Sequence, residues 1–200
     1  MKTLFRVVVL CLALPAGVVF AQNTGAQDKP AQEKPAVTPE NPLSTWNKFA
    51  YARVKDILER SAEKMSEENY SFKPADTVRT YGQIVGHLAD AQYAFCSLAL
   101  GEKNPGLNIE KTKTTKADLI AALNAAIAYC DKAYNTMTDA TAVQTIKLFG
   151  NDAPRLSALT VNNMHDLEHY GNLTTYMRMK GIVPPSSEQQ QAPPQAQPKK

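Results

Sequence analysis

Residues 80–101, TYGQIVGHLADAQYAFCSLALG, decide the fold. Thr80 and Gln83 have the spacing of a capping box, in which the hydroxyl accepts an unpaired helical amide and the glutamine reaches back to the cap's own amide. Behind the box, Tyr81, Ile84, Leu88, Ala91, Phe95 and Leu98 recur at three- and four-residue steps, the period of a helix with one buried face. Gly101 follows, where a helix needs a residue that tolerates a left-handed backbone. Such a stripe needs other elements to cover it.

Three further stretches supply the cover. Upstream, Trp46, Phe49, Ala50, Val54, Ile57, Leu58, Ala62 and Met65 mark a first helix, with Ser44 or Thr45 available as its N-cap. Downstream, a third helix opens at Thr115, three residues before Asp118, with the stripe Leu119, Leu123, Ala126, Cys130, Ala133 and Met137. A fourth starts near Pro154, with Asp152 as cap, and runs to Lys180 before Gly181 and the Pro184-Pro185 stop. The fold class is all-α, a four-helix bundle. Residues 101–114 and 138–153 are long enough to cross a bundle end, so long crossover connections are expected. Residues 142–148 fit either a short strand or irregular chain.

The outer segments are of a different kind. Met1 to Ala21 carries Lys2 and Arg6, then a 14-residue apolar run from Val7 to Phe20, and Val19-Phe20-Ala21 suits a signal peptidase. The run is shorter than the ~20 residues a spanning helix needs, so residues 1–21 are expected to be a cleaved signal peptide. Export to the periplasm or medium follows, with no membrane attachment after cleavage. Residues 22–42 and 184–200 are rich in Gln, Pro, Ala, Lys and Glu and are expected to be a disordered linker and tail. Residues 43–183 form the domain. The chain has 22 basic and 19 acidic residues, with no basic run interleaved with aromatics, so nucleic acid is not an expected partner. A small-molecule substrate is, and aromatics such as Trp46 and Tyr51, if exposed, would suit a homodimer interface.

The chain has three histidines, and they are placed where chemistry can use them. His165 and His169 are four apart in the fourth helix, on one face, with Cβ atoms roughly 5–6 Å apart. His87, beside the centre of the second helix's stripe, can lean into a seam between helices. Three imidazoles suit a divalent ion and leave at least one position for water or substrate. Zinc is the default, and nickel, iron and manganese also accept imidazole. Position 166 is Asp where the zinc-protease helix has Glu, which disfavours a protease. Asn163 and Asp166 interrupt the fourth helix's apolar stripe at the histidines' level. Asp166 is therefore the catalytic candidate, as base or orienter, with Asp90 and Glu168 behind it and Asn162 and Asn172 as further supports.

The segment Val85-Gly86-His87-Leu88-Ala89-Asp90-Ala91, with His165-Asp166-Leu167-Glu168-His169-Tyr170-Gly171-Asn172-Leu173 before Tyr176-Met177-Arg178, resembles the DinB-like (DinB/YfiT) superfamily. Phe72-Lys73-Pro74 ahead of Thr80-Tyr81-Gly82 fits as well. The resemblance covers about Trp46 to Pro185. It implies a four-helix bundle with a divalent ion on three histidines, matching His87, His165 and His169. Hydrolases and enzymes working through low-molecular-weight thiols are among the activities it implies. Metal-dependent hydrolysis is the first expectation here, since export separates the chain from cytosolic thiols. A thiol-dependent transferase and a non-catalytic metal- or ligand-binding bundle are the alternatives. Cys96 and Cys130 remain after the leader, and a bridge between the second and third helices is feasible; two buried thiols are the other reading.

Overall fold

The structure, a computed structural model, describes residues 40–188. The expected leader, nearly all of the linker and the tail beyond Glu188 lie outside the described residues. Seven helices and one hairpin follow in order: α1 (Pro42–Lys64), α2 (Tyr81–Leu100), α3 (Ile109–Thr112), α4 (Lys116–Thr136), α5 (Asp139–Ala142), β1 (Thr145–Leu148), β2 (Asn151–Pro154), α6 (Leu156–Met179) and α7 (Pro185–Glu188). The long helices α1, α2, α4 and α6 are the expected bundle. Among the described residues, no helix is long and apolar enough to cross a membrane.

The caps of α2 and α4 follow the sequence reading. Thr80 and Gln83 exchange both capping-box bonds, and Gly101 closes α2 with φ 73°. Thr115 accepts the amide of Asp118 at the start of α4. The N-terminus of α1 is capped from elsewhere: Asp139 accepts the amides of Leu43 (3.0 Å) and Ser44 (2.8 Å). This distant carboxylate replaces the expected local cap. At α6 the expected cap Asp152 lies in β2, paired with Lys147 across the strands, and the helix opens after Arg155 without a side-chain cap.

The main contacts pair α2 with α4 and α6, and α1 with the same two. Direction follows from which residues meet. Gly82 packs on Leu119 and Cys96 is bonded to Cys130, so α2 and α4 run parallel. His87 meets His165 and Gln92 meets Asn162, so α6 runs antiparallel to α2. A parallel α2–α4 pair requires the chain to return along α2, about 30 Å for 20 residues at 1.5 Å each. Residues 101–115 make that return, carrying α3.

The core is built on Leu58, Leu88, Leu119, Leu123, Leu173 and Met177, all fully or almost fully buried. Two expectations for α1 change. Trp46 is 69% exposed and Phe49 53% exposed, stacked on each other. Tyr51 is buried against Tyr134, ring centroids 3.8 Å apart, so it is not a surface aromatic. The burial of Tyr51, Val54 and Leu58 defines α1's face, and at 100° per residue Trp46 turns well away from it. Residues 184–188 also depart from the expected disordered tail: Ser186 bonds Tyr170, and Glu188 pairs with Arg60 and Lys64 on α1.

Residues 142–148 resolve into the end of α5 and the strand β1. β1 and β2 pair antiparallel, with Leu148 opposite Asn151, so Phe149-Gly150 is a two-residue turn. Both turn residues have positive φ, 50° and 81°, as type I′ hairpins require. For Phe149 a left-handed backbone costs about 1–2 kcal/mol.

Cys96 and Cys130 form a disulfide between α2 and α4, with Cα atoms 5.2 Å apart and a sequence separation of 34. On the chain-entropy account, closing that loop stabilises the fold by about 3–4 kcal/mol. Replacing both cysteines with alanine should lower the unfolding free energy by that amount in denaturant titrations, and reductant should reproduce the loss in the wild type but not in the variant.

Candidate metal centre

Antiparallel packing of α2 on α6 brings the three histidines together. His87 Nε2 lies 3.0 Å from His165 Nε2, and one ring nitrogen from each histidine falls within 4.8 Å of the others. Two nitrogens on a tetrahedral zinc ion at about 2.05 Å are about 3.3 Å apart, so the spacing suits a shared ion. His165 Nδ1 is buried with no hydrogen-bond partner among the described residues. Burial, followed by the neighbouring His169 and His87, pushes His165 down to about 4, and burial and His87 also lower His169. Both rings are therefore neutral near pH 7, the state in which imidazole ligates. The three histidines can hold a divalent metal ion.

His87 is oriented by a residue that the sequence reading missed. Glu110 Oε2 lies 3.1 Å from His87 Nδ1, and Oε1 accepts from Arg79 Nε at 2.8 Å. Burial pushes the Glu110 carboxyl up, but Arg79 and His87 more than reverse this and hold it below the usual carboxylate range. An ionised carboxylate can only accept, so it fixes the proton on Nδ1 and leaves Nε2 facing the other histidines with its lone pair. Asn172 neighbours His169 in the opposite sense: its amide nitrogen, a donor, lies 3.3 Å from Nδ1, which accepts.

Glu110 arrives by way of the return segment. Asp90, expected to orient a ring, instead caps α3: its two oxygens accept the amides of Ile109 (2.8 Å) and Glu110 (3.0 Å). Gly86 provides the space, since a Cβ there would lie 2.7 Å from Glu110 Cα. Gly86, His87 and Asp90 thus receive α3, orient a ring and fix a carboxylate from one helix. Only the spacing of Asp90 from His87 hinted at this; the partner was 20 residues away on a segment without periodicity.

Asp166 is placed differently from expectation. It is fully buried and lines neither cavity beside the histidines. Its Oδ2 accepts from Gln92 (2.8 Å) and Asn162 (3.1 Å), while Oδ1 is buried without a partner among the described residues. Asn162 also bonds Gln92, and Tyr134 donates to Asn163 at 3.0 Å. The polar residues in the α6 stripe therefore have separate partners, Asp166 in Gln92 and Asn162, and Asn163 in Tyr134 and Asn47. Asn162 belongs to this network rather than to the ring supports, and Glu168 is exposed. The base role is not one that Asp166's position favours.

Two cavities flank the histidines. One, of about 380 Å³, lies between α2 and the return segment, with Ala91, Ala94 and Phe95 on one wall and Asn104, Asn108 and Lys111 on the other. His87 and His165 reach it. The second, of about 740 Å³, is polar and includes Arg79, Gln83, His169 and Asn172. Glu110 borders both.

Comparison with known proteins agrees with the fold. The profile of the DinB superfamily matches residues 50–173. The uncharacterized protein YjoA of Bacillus subtilis is 25% identical over 134 residues, 64% of this chain and 84% of YjoA. The crystal structure of that DinB-like protein superposes with a TM-score of 0.57 at 22% identity, covering 69% of this chain and 93% of the other. A DinB-like protein from Bacillus cereus gives 0.61 at 18% identity, covering 70% and 93%.

Two outcomes test the site. Glu110→Gln and Gly86→Ala should each weaken zinc binding by roughly 10–100-fold in competition titrations, as expected for a lost ring support. For the metal-free protein, burial raises Asp166 to about 8, while His165 is lowered to about 4. Between pH 6.5 and 8 the folded state then holds a proton on Asp166 that the unfolded chain has released, so stability should fall as pH rises through that window. Below about 6.5, His165 acts in the opposite sense because the unfolded chain binds the proton. Asp166→Asn should remove the alkaline fall in urea midpoints.

Proposed function

The chain belongs to the DinB superfamily, and from that premise we propose that it is a zinc-dependent hydrolase of small molecules acting outside the cytoplasm, with His87, His165 and His169 as ligands. The observation that supports this most directly is three imidazoles converging between two helices beside an open cavity, two of them held neutral. A zinc ion so held supplies Lewis acidity, polarising a carbonyl or phosphoryl oxygen and acidifying water to a pKa of about 7.

The chain's own groups do the rest. Glu110 keeps the His87 proton on Nδ1, and Arg79 holds Glu110 ionised in that position. The Ala91, Ala94 and Phe95 wall excludes water from one side of the cavity, while Asn104, Asn108 and Lys111 offer amides and a cation to a substrate's polar part. The Cys96–Cys130 bridge supports an oxidising compartment, in line with the export signal expected at residues 1–21. The exposed Trp46–Phe49 pair is the surface that would suit a homodimer.

Metal analysis of the purified protein, alongside a panel of esters, amides and lactones, tests the reading. One zinc per chain with turnover is expected. His169→Ala should keep the helical circular dichroism spectrum, lower zinc affinity by more than the roughly 10–100-fold of a lost support, and abolish turnover. Full zinc occupancy with no turnover across the panel would instead favour a binding protein.

A further inference from the structure

Phe149 combines two unfavourable features. It is 74% exposed, and it occupies a left-handed backbone position, φ 50°, at a turn where Asn, Asp or Gly is usual. The left-handed backbone costs about 1–2 kcal/mol, of which an edge-to-face contact with Phe95 recovers about 0.5–1.5 kcal/mol. The remaining candidate is function, since strain of this kind collects at ligand-binding positions.

The surroundings of Phe149 point to a ligand at the histidines. Its ring meets Phe95 edge to face, centroids 6.1 Å apart, and Phe95 in turn meets His165 edge to face at 5.6 Å. Phe95, with Ala91 and Ala94, lines the 380 Å³ cavity into which His87 and His165 reach. The hairpin thus extends the apolar wall of that cavity outward by one aromatic ring. The facing wall, with Asn104, Asn108 and Lys111, is polar. Pockets whose walls differ in this way hold one end of a ligand by apolar contact and orient the other by hydrogen bonds.

We propose that Phe149 and Phe95 are specificity residues: they hold a planar apolar group, such as an aryl ring, attached to the carbonyl or phosphoryl group that the metal centre receives. This rests on the hydrolase reading only for the chemistry that follows binding. The substrate class is an aryl or similarly flat apolar acyl compound, in preference to a short aliphatic one. An aromatic at position 149 is useful there despite its backbone, because it gives Phe95 a second edge-to-face partner besides His165.

Benzohydroxamate and acetohydroxamate share one metal-chelating group and differ in the ring, so their affinities for the zinc-loaded protein, measured by calorimetry, report the wall directly. The wild type is expected to prefer benzohydroxamate, and Phe149→Asn and Phe95→Leu should each reduce that preference, taken as the ratio of the two affinities, by about five- to tenfold. Phe149→Asn should also raise the melting temperature, since Asn suits the turn; a purely structural Phe149 would lower it. An unchanged preference in both variants overturns the proposal. Discrimination without turnover on any ester or amide would count against hydrolysis alone. Failure of the protein to take up zinc would remove both readings.

Discussion

The parallel course of α2 and α4 is the constraint on which the site depends. Two parallel neighbours in a bundle cannot be joined by a short turn, so residues 101–115 must travel back along α2. Their path takes them past His87. Gly86 removes the one side chain that would keep the returning backbone at a distance, and Asp90 gathers the two amides that open α3. Glu110 is delivered to His87 by this route, from a segment whose sequence has no regular pattern. The connection is thus a functional wall as well as a link.

A second constraint fixes how α2 and α6 slide past each other. Apolar stripes tolerate small shifts in register, but buried amides do not, because each lost bond leaves a group unpaired at a cost of about 1–3 kcal/mol. Gln92 bonding both Asn162 and Asp166 therefore sets the axial position of α2 against α6. His87 lies five residues before Gln92, and His165 adjoins Asp166. The same register that satisfies the amides places the two Nε2 atoms 3.0 Å apart. Asp166 and Asn162, through Gln92, thus fix the alignment of α2 and α6 at the level of the histidines.

Much of this was legible in the sequence. The capping box at Thr80–Gln83, the α4 cap at Thr115, the four helical stripes and the three histidines are local patterns, and local patterns are what periodicity reports. The disulfide could be placed to within its two partners because only Cys96 and Cys130 lie outside the expected leader. What could not be read shares one property, a dependence on contacts distant in sequence. The α1 cap comes from Asp139, the His87 support from Glu110, and the partner of Asp166 from Gln92. Trp46 and Phe49 failed for a related reason: apolar spacing identifies a helix, but which face is buried is settled by its neighbours.

These features also distribute stability unevenly around the centre. A four-residue helix such as α3 is far too short to persist alone. It is held by the Asp90 cap, by burial of Ile109 and by the Arg79–Glu110–His87 chain. The histidines themselves stand on α2 and α6, two of the four long helices, whereas one wall of the adjoining cavity comes from the return segment. The disulfide lies toward the end of α2 from which the return segment departs, and Gly82 packs on Leu119 near the end where it rejoins α4. Both ends of the return are therefore fixed while its middle faces the cavity. Glu110 therefore joins two unlike parts of the site, the return segment to which it belongs and the α2 ring that it bonds.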